Sequence, residues 1–110
     1  METIKSKAEF ERVFAHGKRA NDSLLRIRVA ATNEGDRSKV AFVAPKRLGN
    51  AVFRNRCKRV LREAARACRL PADGYDVILF ATKDTYASSP EPVAKALRRM
   101  LDRAGVRDGQ

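Results

Sequence analysis

Residues 51–69 restrict the possible folds more than any other part of the sequence. On a helical wheel, at about 100° per residue, the segment separates into an apolar arc and a polar side. The apolar arc contains Phe53, Cys57, Val60, Leu61, Ala64, Ala67 and Cys68. The opposite side contains Arg54, Asn55, Lys58, Arg59, Arg62, Arg66 and Arg69. Such a helix must bury its apolar arc, and we expect it to pack against a sheet.

The polar side of this helix carries charge of a single sign. Residues 46–69 contain nine Lys or Arg and one acid, Glu63, in a chain whose formal net charge is +11. Like charges four residues apart cost a few tenths of a kcal/mol, about 0.2–0.5 per pair, so folding does not require this arrangement. Binding to phosphates, by contrast, does require cations on one side of the helix. Ala and Cys form a poor membrane-inserting face, so the predicted partner is nucleic acid rather than a membrane.

The remaining sequence predicts a sheet and two further helices. Ser6 and Glu9 have capping-box spacing and begin a helix over residues 7–16. Alternation over residues 25–31 predicts a half-buried strand, and turn residues 33–36 lead to a strand over residues 40–44 as its hairpin partner. The continuous apolar run at residues 76–81 is typical of a central strand. A last helix follows Ser88 or Ser89 and ends before Gly105.

Length and composition fit one α+β domain over residues 1–110. The chain has 44% hydrophobic residues, and no run approaches the length of about 18 apolar residues that a bilayer span needs. Cys57 and Cys68 would lie about 16 Å apart along the helix, beyond disulfide reach. Without a second ligand pair they do not indicate zinc, so we expect reduced, buried cysteines in a cytoplasmic protein.

The sequence contains no set of residues typical of an enzyme active site. Its single histidine, His16, precedes Gly17 at a predicted helix end, where packing or capping is the simpler role. A Gly-rich phosphate loop, a nucleophile elbow and a metal motif are all missing from the sequence. We therefore predict no catalytic residue and no metal ligand in this chain, and any reaction must depend on a partner.

The stretch KRLGNAVFRNRCKRVLRE, residues 46–63, resembles the signature of the protein subunit of bacterial ribonuclease P. Residues 10–17 and 76–81 are similar to that family's first helix and last strand. The resemblance implies an α-β-β-β-α-β-α domain with a four-stranded mixed sheet and a left-handed β-α-β crossover. It adds a short strand near residues 18–20 that periodicity alone does not predict.

The resemblance also implies a function. In this family an RNA subunit catalyses removal of the 5′ leader of precursor tRNA, using Mg²⁺ at its own active site. The protein binds that RNA subunit and the single-stranded leader. The implied partners are therefore the ribonuclease P RNA and precursor tRNA, with no protein partner and no membrane.

Individual residues match the family's motifs. Those that match the RNA-subunit-binding signature are Lys46, Arg47, Asn50, Arg54, Asn55, Arg56, Lys58, Arg59 and Arg62. Phe10 and Phe14 match an aromatic pair in the leader cleft, although packing in the core is an alternative for both. Arg28 is expected on the cleft-facing strand, where relatives often have an aromatic residue. Thr82 stands where Arg commonly follows Ala.

Two other classes of protein remain compatible with the charge and size. A ribosomal-type structural RNA-binding protein needs no leader cleft, so a preference for precursor over mature tRNA distinguishes it. A DNA-binding protein could place the helix at residues 51–69 in a major groove. Competition between structured RNA and duplex DNA at matched salt distinguishes that alternative.

Overall fold

The computed structural model describes residues 1–106 and contains three α-helices and four strands. In chain order these are α1 (Lys7–His16), β1 (Lys18–Asn21), β2 (Leu25–Ala31), β3 (Val40–Val43), α2 (Ala51–Ala67), β4 (Tyr75–Ala81) and α3 (Pro90–Arg103). A 3₁₀ turn at Lys46–Leu48 precedes α2. The α-β-β-β-α-β-α order and the short extra strand implied by the resemblance are both confirmed.

The four strands form one mixed sheet in the order β1-β2-β4-β3. β2 is antiparallel to both β1 and β4, whereas β3 is parallel to β4. The prediction that β2 and β3 form a hairpin is therefore wrong. A turn does form, with the Asp36 amide donating to the Asn33 carbonyl at 3.0 Å. However, β4 lies between the two strands, and α2 joins the parallel neighbours β3 and β4.

The apolar character of β4 explains its central position. Val77, Ile78 and Leu79 are fully buried, so both faces of this strand need cover. The strand also pairs along both of its edges, with Leu25–Ala31 on one side and Val40–Val43 on the other. Turn chemistry between β2 and β3 fixes only the local reversal of the chain and leaves the choice of partner strand open.

One face of the sheet is covered by α2 and α3. Strand residues such as Ile27 and Leu79 pack there against Leu61, Leu97 and Met100. The buried face of α2 agrees with the predicted arc except at Ala67, which is exposed, whereas Ala65 is buried.

α2 ends two residues before the predicted end. Arg69 has φ 59°, in the left-handed region, and the Leu70 amide donates to the Ala65 carbonyl at 3.0 Å. This conformation stops the helix, because the chain turns back to satisfy the last carbonyls. Cys57 and Cys68 are buried, as predicted, and burial raises the pKa of the Cys57 thiol.

The other face of the sheet is only partly covered, by α1. Val13 is fully buried against Ala41 and Ile78. At the end of α1 a Cβ on Gly17 would lie 2.4 Å from the Val13 carbonyl oxygen of the same helix and 3.0 Å from the Val29 carbonyl oxygen of β2. Only glycine fits there. α1 does not extend over the whole of this face, and a cleft remains at one end of it.

A buried carboxylate fixes α1 to the sheet. Asp76 on β4 accepts from Arg12 Nη2 at 2.5 Å through Oδ2. Its Oδ1 accepts from Thr32 Oγ1 at 3.0 Å and from the Lys39 amide at 2.9 Å. Arg12 also donates to the Ala31 carbonyl at 2.9 Å. Three segments of the chain are thus held at one side chain.

Candidate nucleic-acid interface

The first candidate surface is the cationic side of α2 with the turn before it. Lys46 and Arg47 are exposed on that turn. Asn50 caps the helix, since its Oδ1 accepts from the Phe53 amide at 2.9 Å. Arg54 is half-buried, and its Nε donates to the Gly49 carbonyl at 3.2 Å. Asn50 and Arg54 therefore each make a hydrogen bond that supports the start of α2. The amide nitrogen of Asn50 and the two Nη atoms of Arg54 take no part in these bonds and are left for a ligand.

The rest of the predicted signature lies along one exposed side of α2. Asn55, Arg56, Arg59 and Arg62 are exposed, and Lys58 is half-buried. Arg62 Cζ lies 5.2 Å from the centroid of the Phe42 ring, a distance at which a cation interacts with an aromatic face. Glu63, the one acid of residues 46–69, pairs with Arg66 at 2.7 Å. The cations from Lys46 to Arg62 thus face solvent with little opposite charge among them.

The second candidate surface is a cleft on the open end of the other sheet face. Its volume is about 210 Å³, and it is lined by Phe14, Arg19, Asn21, Arg26, Ile27, Arg28, Pro45, Arg47, Phe80 and Ala81. Strand register explains how the polar residues come together. Arg19 pairs with Arg28, Asn21 with Arg26, and Arg26 with Phe80, so their side chains share one face.

Phe14 occupies the edge of this cleft. It is 43% exposed, and its ring meets Phe80 edge to face with the centroids 5.9 Å apart. Arg28 Cζ lies 4.3 Å from the Phe14 centroid, and Arg28 Nη1 donates to the Phe14 carbonyl. Arg28 is therefore held against the Phe14 ring on the cleft side of β2.

Phe10 has a different environment. It stacks on Phe14 with the centroids 6.1 Å apart and the ring planes at 17°. It is half-buried and packs against the cluster of Val13, Ala41 and Ile78. It contributes no lining to the cleft. Phe10 is thus engaged in packing, whereas Phe14 contacts Phe10, Phe80 and Arg28 and still remains exposed at the cleft.

Several residues of the cleft were not among the predicted site residues. Arg19, Asn21, Arg26 and Phe80 line the cleft but were not predicted as site residues. Alternation was a usable signal for Arg26, because it lies two residues from Arg28 on β2 and must share its face. No such signal existed for Phe80, since a central strand is apolar on both faces.

Thr82 takes a structural role. Its Oγ1 donates to the Ser23 carbonyl at 2.6 Å, and its amide donates to Thr85 Oγ1 at 2.9 Å. The buried Thr85 in turn donates to the Leu24 carbonyl at 2.6 Å. These bonds brace the loop after β4 against the turn between β1 and β2.

The described residues offer no metal site and no membrane span. Within residues 1–106, no group of three or more His, Cys, Asp or Glu side chains is placed to hold a metal ion. In the same part of the chain, no helix has the length and apolarity needed to cross a membrane. His16 is exposed at the end of α1.

A four-stranded α+β fold with a cationic helix on one side and an arginine-lined aromatic cleft on the other is typical of small, basic nucleic-acid-binding proteins. The family model described as Ribonuclease P matches residues 1–105. The chain belongs to this family.

Individual relatives agree with this assignment. The ribonuclease P protein component of Gluconacetobacter diazotrophicus is 33% identical, and the match covers 97% of this chain and 94% of the relative. That of Roseiflexus castenholzii is 35% identical, over 96% of this chain and 88% of the relative. The solved structure of the Staphylococcus aureus RNase P protein superposes with a TM-score of 0.79 at 25% identity, covering 96% and 97%. The Thermotoga maritima RNase P protein, 23% identical with a TM-score of 0.76 over 94% and 97%, shares the fold.

Proposed function

We propose that this chain, as a single RNA-binding domain over residues 1–110, is the protein component of a ribonuclease P. In this proposal α2 binds the catalytic RNA subunit, and the cleft binds the 5′ leader of precursor tRNA. The observation that carries the proposal is the cleft, in which Phe14 and Phe80 lie among Arg19, Arg26 and Arg28. A single-stranded leader presents unpaired bases and phosphates, which are the groups that aromatic rings and arginines bind.

The position of Arg47 supports a role for both surfaces in one complex. Arg47 belongs to the turn before α2 and also lines the cleft. An RNA subunit on α2 and a leader in the cleft would therefore approach the same arginine from two sides. The cleft is the feature by which the protein distinguishes precursor from mature tRNA, because mature tRNA has no leader to place there.

The chemistry is assigned to the RNA subunit. Within residues 1–106, no set of metal-ligating side chains comes together that would fit a magnesium ion. Mg²⁺ is therefore proposed to act at the active site of the RNA. The protein's own contribution is to bind and orient the substrate, and its proposed location is the cytoplasm. The holoenzyme is an endoribonuclease in which this chain is the non-catalytic subunit.

A ribosomal-type structural RNA-binding protein is the alternative. It accounts for the cationic side of α2 but gives no reason for an exposed aromatic residue in an arginine-lined cleft. The leader-binding proposal accounts for both surfaces.

Reconstitution tests the proposed function. The chain is added to a bacterial ribonuclease P RNA at low magnesium, and release of the 5′ leader from precursor tRNA is followed. We expect cleavage by the complex at magnesium concentrations where the RNA alone is inactive, and no cleavage by RNA-free protein at any magnesium concentration. Robust cleavage by the RNA-free protein, or no effect of the protein on the RNA, contradicts the proposal.

The exposed cations of α2 give a second prediction. Arg59→Ala and Arg62→Ala are expected to weaken binding to the RNA subunit because each removes a cation that binds a phosphate. The slope of log affinity against log salt should flatten by somewhat less than one, about 0.7–0.9, for each phosphate that is no longer bound. Both side chains are exposed, so the melting temperature should change little.

The matched control for this prediction is Arg37→Ala. Arg37 is an exposed arginine in the loop before β3, and its removal lowers the net charge equally. It should leave both affinity and salt slope close to those of the unmodified protein. If all three variants behave alike, the α2 surface does not bind the RNA.

A further inference from the structure

The N-terminal end of α2 carries a second aromatic cluster, which the proposed function does not use. Phe53 and Tyr86 stack with their centroids 4.2 Å apart and their planes at 8°. Tyr86, in the loop between β4 and α3, is 39% exposed. Arg56 Nε donates to the Tyr86 carbonyl at 3.2 Å, and Arg56 Cζ lies 5.4 Å from the Tyr86 ring centroid.

The loop does not depend on the Tyr86 ring for its conformation. Thr82 and Thr85 already bind it to the turn between β1 and β2, and Ser88 Oγ donates to the Asp84 carbonyl at 3.0 Å. Thr85 is fully buried, whereas Tyr86 beside it extends toward solvent. The exposed ring is therefore available for a ligand rather than required for folding.

The geometry also prepares Arg56 to bind an anion. The bond from Nε to the Tyr86 carbonyl holds the guanidinium beside the ring and leaves Nη1 and Nη2 for another partner. Holding an arginine in place lowers the entropic cost of its binding to a ligand. Residues 46–62, which include Arg56, contain no acid. This segment therefore attracts a polyanion more strongly than a peptide of mixed charge.

We propose that Tyr86 and Arg56 form a nucleotide platform for one unpaired nucleotide of the RNA on which α2 docks. Its base continues the Phe53–Tyr86 stack, and its phosphate binds the Arg56 guanidinium. The platform is distinct from the leader cleft, since neither Tyr86 nor Arg56 lines that cleft. This inference rests on the proposed function, because the docked RNA is the proposed ribonuclease P RNA.

Two substitutions at Tyr86 test the stacking. Tyr86→Leu keeps apolar contact with Phe53 but removes the aromatic face, and it should weaken binding to a bacterial ribonuclease P RNA about 5- to 150-fold. Tyr86→Phe keeps the ring and should bind like the unmodified protein. Neither change removes a charge, so the salt slope should stay constant, in contrast to Arg59→Ala.

Fluorescence gives an independent readout. The chain contains no tryptophan, so Tyr86→Trp introduces a single reporter on the platform. Stacking of a base on the indole should quench its emission when the RNA subunit binds. Arg37→Trp places the same fluorophore in the exposed loop before β3, where emission should be retained.

The outcomes separate this inference from the function on which it rests. Weakened binding by Tyr86→Leu at constant salt slope, together with quenching of the indole in Tyr86→Trp, supports the platform. Unchanged binding by Tyr86→Leu overturns it, and so does RNA binding by Tyr86→Trp without quenching. A fall in affinity that matches a fall in melting temperature for both Tyr86→Leu and Tyr86→Phe assigns the ring to folding and also overturns it. If the unmodified chain does not bind the RNA subunit at all, the proposed function itself fails.

Discussion

Phe14→Leu is expected to weaken binding of precursor tRNA to the holoenzyme by about 5- to 150-fold, since stacking on one unpaired base contributes about 1–3 kcal/mol. Leucine keeps apolar contact with Phe10 and Phe80 but offers no face to a base. Phe14 is 43% exposed, so folding should lose little, and the melting temperature should stay within a few degrees. Binding of mature tRNA, which has no leader, should hardly change.

Phe10→Leu is the matched comparison on the same helix. Phe10 packs against Val13 and Ile78 and does not line the cleft. Its substitution should therefore act through stability and leave the ratio of precursor to mature tRNA binding nearly constant. Equal loss of both tRNAs by Phe14→Leu, with a large fall in melting temperature, would instead place Phe14 in the core. For a phenylalanine in the core, complete removal of the ring lowers the free energy of unfolding by about 3–5 kcal/mol.

Asp76→Asn is expected to destabilise the folded chain by about 3 kcal/mol, because breaking a buried ion pair typically costs about 3–5 kcal/mol and Arg12 retains some contact with water. Donors approach both carboxylate oxygens, Arg12 on Oδ2 and the Lys39 amide on Oδ1. An asparagine amide satisfies only one of them, and in either orientation its NH₂ group faces a donor. The melting temperature should fall by about 10 °C or more.

Two controls accompany this prediction. Asp73→Asn makes the same chemical change at an exposed turn position near the start of β4 and should alter stability by less than about 0.5 kcal/mol. Arg12→Met should cost much less in the Asp76→Asn background than in the unmodified chain, because the ion pair is already broken there. Asp76→Asn with a normal melting temperature would show that the Arg12–Asp76 pair does not hold α1 on the sheet.

The effect on leader binding should follow from stability. Arg12 and Phe14 lie on the same helix, and Asp76 fixes that helix to β4, which also carries Phe80. Loosening α1 would therefore change the distance between the two rings of the cleft. Among variants that remain folded, we expect Asp76→Asn to lower the preference for precursor tRNA more than Asp73→Asn does.

Local structure was predictable from the order of residues alone. Helical spacing predicted the buried and cationic sides of α2, and Asn50, the residue before this helix, caps it. Ser6 likewise caps α1, whose bounds were predicted within a residue. These features depend on neighbours within about one helical turn, so their physical causes lie within a short stretch of sequence. The ordered signature at residues 46–63 identified the family for the same reason, since its residues lie on one continuous segment.

The meeting of distant residues, by contrast, depends on the folded domain as a whole. The insertion of β4 between β2 and β3 brings Phe80 beside Arg26, and the docking of α1 leaves Phe14 exposed while Phe10 is packed. The stack of Phe53 on Tyr86 likewise joins residues far apart in the chain. Periodicity indicates that a side chain is buried or exposed, but its partner is chosen by strand pairing and packing across the whole domain. Both the cleft and the nucleotide platform depend on that choice.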